Sequence, residues 1–309
     1  MSNIPYKFKP IIIPLNVTSG INGTFIFNAN GASVSSGTIM SGAYLGINDR
    51  KTMCVYSGGS ASGTVISSGG SMIVSSRGIA DNTTVNSGGR CFVSSIGSAS
   101  NATISSGGTL CVLSGGHASS LYISAGGNLT VSSGGTCTHF CVEHANGVNL
   151  SSAFIYGATV KAGMLTLAED NLEEPQSRFS TISAIGATIM VSSSCKVYSM
   201  YAESGGNIVC IGGASAENTV ARDGGTVMFG VSGSGIGLGV YSGGTGVISS
   251  GAKVEQALFV FSGGSAVIQS GGSCGGGIIS SGGTLVISSG GSATNITSAP
   301  GAVIIHVNG

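Results

Sequence analysis

The run GGSMIVSSRGIADNTTVNSGGRCFVSSIGSASNATISSGG, residues 69–108, holds two copies of one 19-residue unit followed by the start of a third. Paired glycines, or a close substitute, fall at Gly58, Gly69, Arg77, Gly88, Ile96, Gly107, Gly115, Gly126 and Gly134, so the spacing alternates between 11 and 8 residues. A fixed period near twenty, with each unit too small to bury its own apolar face, is the signature of stacked coils sharing one core. The sequence therefore predicts an all-β fold: a single-stranded parallel β-helix, or β-solenoid, of about 19 residues per coil with Gly-Gly corners.

The arms of the unit carry the pattern of strands. In the short arms GGSMIVSS, GGRCFVSS, GGTLCVLS and GGNLTVSS, the fourth and sixth places are apolar (Met72 and Val74, Cys91 and Val93, Leu110 and Val112, Leu129 and Val131). Alternation of period two puts both on one face. The place between them varies (Ile73, Phe92, Cys111, Thr130) and should face outward. In the long arms, Ile66, Val85, Ile104 and Ile123 read as core-facing, and the small residues Ala61, Ala80, Ala99 and Ala118 read as a tight corner. Ser62-Gly63, Asp81-Asn82, Ser100-Asn101 and Ser119-Ser120 tolerate left-handed backbone, so a third corner is expected there. Glycine supplies positive φ at the two sharp corners. The paired serines before them can bond freed backbone groups or form hydroxyl ladders between coils.

Composition narrows the function. Eleven basic and eleven acidic residues cancel, and only 7% of the chain is charged. Such a surface is not built to grip nucleic acid. No run of 18 apolar residues is present, so no transmembrane helix is expected. The opening MSNIPYKFKPIIIPLNV has a short apolar run broken by Pro10 and Pro14 and no small-residue cleavage site, and does not read as a secretory signal. The eight cysteines lack a framework spacing and are expected to be free thiols.

The rhythm changes along the chain and suggests four parts. Residues 1–30, richer in Phe, Ile, Pro and Asn, read as an N-terminal cap over the first coil's edge. Residues 31–145 read as regular repeats, 146–204 as irregular coils, and 205–309 as repeats again. Within the irregular part AEDNLEEPQSR, residues 168–178, carries four of the eleven acids and reads as an insertion at one corner. Dividing 309 residues by 19 gives about 16 coils, or a rod on the order of 75 Å long.

Reactive constellations are scarce. Cys137, His139, Cys141 and His144 lie within eight residues and are ligand types zinc accepts, but their spacing matches no standard site and alternation would split them between faces. No metal site, cofactor or catalytic residue is therefore assigned. Outside the insertion the acids are isolated in sequence, whereas glycoside hydrolysis needs two carboxylates held together. No helix follows the glycine strings and no Gly-Lys-Ser/Thr occurs, so they are corners and not phosphate cradles.

The run GIADNTTVNSGGRCFVSS, with IGSASNATISSGGTLCVLSGG after it, resembles the 19-residue repeat of the AIDA-type (diffuse-adherence adhesin) autotransporter passengers of Gram-negative bacteria. The resemblance covers residues 57–135 strictly and 204–300 loosely. It implies a β-helical stalk at the cell surface or secreted, acting in adherence to host-cell or bacterial surface glycans or proteins, or in self-association. Some such passengers are heptosylated by a dedicated glycosyltransferase, and the resemblance then implies Ser68, Thr84, Ser87, Thr103, Ser106 and Ser133 as acceptors. The chain departs from that family's pattern at both ends, where neither a signal peptide nor a translocator barrel is read. Two other readings are weighed: a carbohydrate-active enzyme or binding module on a β-helix, which would want acids and aromatics along one groove, and an ice-binding solenoid, which would want outward threonines in register. The column Ile73, Phe92, Cys111, Thr130 does not supply the second.

Overall fold

The computed structural model describes residues 52–56, 58–150, 153–168, 179–192 and 195–307, together with the backbone of five short strands between residues 16 and 45. The expected acidic insertion, from residue 169 onward, and the first fifteen residues of the expected cap lie outside the described residues.

Every coil contributes a short-arm strand and one or two long-arm strands, each paired in parallel with its counterpart one coil away. The long arms build one 24-stranded sheet; the short arms build two eight-stranded sheets that meet between Val148–Leu150 and Met164–Ala168. At the N-terminal end the strands Asn16–Ser19 and Thr24–Asn28 run antiparallel to Thr38–Ser41 and Gly31–Ser35, which in turn pair in parallel with the next coil. There are about 13 turns. The expected 16 is too many because the division by 19 counted the antiparallel N-terminal strands and an enlarged coil as regular ones. Phe179 pairs with Ile155, 24 residues earlier, so that one coil carries the extra length.

The inward columns are as the alternation requires. Val74, Val93, Val112 and Val131 are partners in successive coils and fully buried, as are Met72, Leu110 and Leu129. The long arms place Ile66, Val85, Ile104 and Ile123 in the same core. One expectation needs correcting: Ala61, Ala80 and Ala99 occupy the middle of strands Ser60–Ser62, Ile79–Asp81 and Ser98–Ser100, and not a corner. They are small because they face inward where the coil is narrow, and Ala118 and Cys137 continue the column. A further inward column was not read from the sequence. It begins with Thr64 and Thr83, whose buried hydroxyls have no partner, and passes through Ala102 and Leu121 to Phe140.

The third corner is present where Asn and Ser residues mark it. Gly63, Asn82, Asn101 and Ser120 all have positive φ, between 51° and 66°. At the sharp corners the two glycines do different work. The first takes the positive φ, 73° at both Gly88 and Gly107, and is replaced by Arg77 and Ile96 at 66° and 65°. The second sits against the coil beneath: a Cβ on Gly89 would lie 2.5 Å from the Ile66 carbonyl oxygen, and one on Gly78 would collide with that of Val55. That second place closes the turn, as where the Gly70 N–H donates to the Ser67 carbonyl at 2.8 Å. Main-chain bonds also run between corners, with Gly88 N–H donating to Gly107 O at 2.9 Å.

Candidate functional site

The stack leaves function to its outward columns, because the inward ones are consumed by the core. Ser68, Ser87 and Ser106 occupy equivalent corner places in three successive coils and are exposed; Ser133 is exposed at the other sharp corner. The corner serines look along the stack. The Ser87 hydroxyl lies 2.6 Å from where a Cβ on Gly107 would be, and Ser106 stands the same distance from Gly126, so each hydroxyl occupies the room that a glycine leaves one coil on. Thr84 and Thr103 are register partners on the outer long arm and half-buried.

The Cys137 cluster is divided by the pleat. Cys137 points into the core, where burial pushes its thiol up to about 12. His139 is exposed at the third corner with φ 51°, edge-on to Tyr156 at a ring separation of 5.3 Å. Cys141 lies in the outward column with Tyr122, and the His144 Nδ1 accepts a 3.3 Å bond from the Asn146 N–H. Among the described residues no group of three or more His, Cys, Asp or Glu converges. None of the eight cysteines is in a disulfide, and burial raises Cys91 and Cys210 to about 12 as well. A thiol held that far above neutrality is a core filler and not a nucleophile.

Acids that are isolated in sequence acquire partners through the stacking. Lys161 Nζ donates to Glu143 Oε1 at 2.8 Å, and Tyr122 Oη donates to the same oxygen at 2.9 Å. Those two bonds, Lys161 first, hold the Glu143 carboxyl below its usual range, and the Glu143 carboxylate raises Lys161 in return. Arg222 pairs with Glu203 at 3.0 Å, and Lys253 with Glu255 at 3.6 Å. Asp81 accepts from Ser100 at 2.8 Å and Asn101 at 2.9 Å, and these bonds lower its pKa. Except for Lys253 and Glu255, two residues apart on one coil, the signal for these pairs lies in the period, since residues 18 to 21 apart are on neighbouring coils. Exposed pairs of this kind add little to stability.

Acids and aromatics also share levels, contrary to the scattered picture drawn from the sequence. The outer long-arm columns between residues 117 and 261 carry His117, Tyr122, Tyr156, Tyr198 and Phe259, where the earlier repeats carry mostly Ser, Thr and Asn. Tyr241 and Phe261 stack at 4.4 Å and 15° at one corner of that stretch. These residues were missed because alignment by arms, without counting columns through the lengthened coil, hides which side chains stand above one another.

A parallel β-solenoid with repeated hydroxyls at its outer corners has the architecture of a stalk. The family model described as "Adhesin of bacterial autotransporter system, probable stalk" matches residues 55–104. A solved structure of a TibC-catalysed hyper-glycosylated TibA fragment is similar over 87% of this chain and 96% of that one, with a TM-score of 0.65 and 30% sequence identity. No curated protein matches the chain in sequence. The chain belongs to the AIDA-type family of bacterial autotransporter adhesins. It is an adhesive β-solenoid passenger, and the family implies a cell-surface or secreted location.

Proposed function

We propose that the chain works as a passive, multivalent adhesive rod whose corner hydroxyls are glycosylated by a dedicated glycosyltransferase, and that it has no turnover chemistry of its own. The observation that carries this reading is the exposure, at equivalent places in the stack, of Ser68, Ser87 and Ser106, with Ser133 at the opposite corner. Thr84 and Thr103 form a second, less accessible set. The hyper-glycosylated state of the similar TibA fragment supports the same assignment. Many weak, repeated contacts sum to useful avidity along a rod, and a net charge of zero removes repulsion between neighbouring copies. The partners would be surface glycans or proteins of host or bacterial cells, or further copies of the chain. In this organisation residues 1–30 cap the stack, 31–145 and 205–309 supply its repetitive surface, and 146–204 carry its irregular coils.

Co-expression of the full chain with a TibC-type transferase, followed by peptide mass spectrometry, tests the acceptors. Sugar-sized mass increments are expected on the peptides holding Ser68, Ser87, Ser106 and Ser133, and replacing all four by Ala should remove them. Increments absent from those peptides, or unchanged in the quadruple variant, would overturn the assignment. Release of product from any polysaccharide would overturn the passive reading.

A further inference from the structure

Six acids lie among the described residues, and five are held: Asp81 by hydrogen bonds, and Glu143, Glu203, Asp223 and Glu255 by cations. Glu217 alone has neither an ion pair nor a side-chain hydrogen bond among the described residues, although it is half-buried. A carboxylate left without a partner in partial burial forgoes the compensation that its fellows receive. It lines an open depression of about 90 Å³ together with Lys196, Val197, Tyr198, Ser215 and Ile236.

Stacking explains the hollow. Lys196 and Tyr198 of strand Lys196–Glu203 stand over Ser215 and Glu217 of strand Ser215–Glu217. The next coil follows in register, with the Ile236 N–H donating to Ala216 O at 3.0 Å. One outer column thus reads Tyr198, Glu217, Ile236, and its neighbour Lys196, Ser215, Ser234. The small serines open a space walled by a phenol, an isoleucine and a lysine, with buried Val197 at its floor. Lys196, like Glu217, has no ion-pair partner among the described residues, so a cation, a carboxylate and a hydroxyl are all available to a ligand.

We propose that this depression binds one uncharged hexopyranose ring of a surface glycan. A pyranose presents hydroxyls that both donate and accept, and an apolar C–H face. Glu217 accepts, Lys196 donates, Ser215 does both, and Tyr198 and Ile236 offer apolar contact. One positive and one negative group leave no preference for an anion. At about 90 Å³ the depression is well below the usual small-ligand site, so it takes only part of one ring, a weak contact used many times over on a cell surface. The proposal rests on the adhesive reading, which it refines by naming a ligand class and a place.

The test is saturation-transfer NMR on the full chain with the methyl glycosides of mannose, glucose, galactose and N-acetylglucosamine as probes. Transfer to at least one is expected, weakened tenfold or more in Glu217→Ala and in Tyr198→Ala while the circular dichroism spectrum is retained. No transfer from any probe, or transfer unchanged in both variants, overturns the site. Should either variant lose the β spectrum, Glu217→Gln, which keeps the shape and removes the charge, decides by the same criterion. Clumping of beads carrying the chain is read in parallel. Clumping kept without sugar binding defeats this inference alone, whereas loss of clumping by the unaltered chain defeats the adhesive rod.

Discussion

Residues 58–134 and the described residues between 136 and 222 wind the same coil around the same kind of core, yet they show the solvent different faces. In the first stretch the inward columns are Val, Ile, Leu, Met and Ala, and the outward places are mostly Ser, Thr and Asn. In the second the inward residues are as fully buried, with Val160, Ile182, Val197 and Met200 at 0% exposure, while the outside carries Tyr156, Lys161, Tyr198, Glu203, Glu217 and Arg222. A solenoid separates the two tasks because each coil contacts only its neighbours, so the outer surface can diverge without disturbing the stack. The first region is a repeated surface suited to modification and many equal contacts. The second is a surface on which particular side chains meet.

The largest effect should come from attacking the core that both regions share. Val112→Asp and Val160→Asp each place an unpaired carboxylate where exposure is zero, and each should cost about 4 kcal/mol or more. Thr130→Asp, on the outer face of the coil after Val112, should cost about 1 kcal/mol or less. Urea unfolding followed by circular dichroism gives the comparison. A tolerated Val160→Asp beside a destructive Val112→Asp would mean that the irregular coils do not share the regular core.

A smaller effect sharpens what makes the first region regular. Gly97→Ala puts a Cβ against the Val74 carbonyl oxygen of the coil beneath, and about 1–3 kcal/mol should be lost. Gly107→Ala strains a residue with φ of 73° and crowds the Ser87 hydroxyl, at a cost of about 1–2 kcal/mol. Ile96→Gly relieves the same strain and should gain about 1 kcal/mol. Ala214, Ala252 and Ala302 occupy the place of Gly97 at other corners and close the same turn. Equal melting midpoints for the parent, Gly97→Ala and Gly107→Ala would contradict the division of work between the two glycines.

The regular region was legible from its residues because each rule it uses is local. Alternation fixed Val74, Val93, Val112 and Val131 inward, Gly88 and Gly107 marked the sharp corners, and Asn82 and Asn101 marked the soft one. What was not legible is vertical. Gly89 is required by a carbonyl 23 residues earlier at Ile66, Glu143 finds Lys161 in the next coil, and Glu217 meets Lys196 and Tyr198 across a strand pairing. Such contacts follow from the period only while it holds, and the 24-residue step from Ile155 to Phe179 shifts every column beyond it. Ala61 misled for a different reason: a small residue suits a tight corner and a narrow interior equally well, and only the pairing with Ala80 shows which.

The central claim is that adhesion is distributed along the stack. Deleting residues 90–108 removes one whole coil and joins Gly89 to Thr109, the junction type already present between Gly108 and Thr109, so the β spectrum should survive. Clumping of beads carrying this shortened chain should fall only slightly, in keeping with the loss of one turn among about 13. Complete loss of clumping with the fold intact would contradict the account and locate adhesion in that single coil.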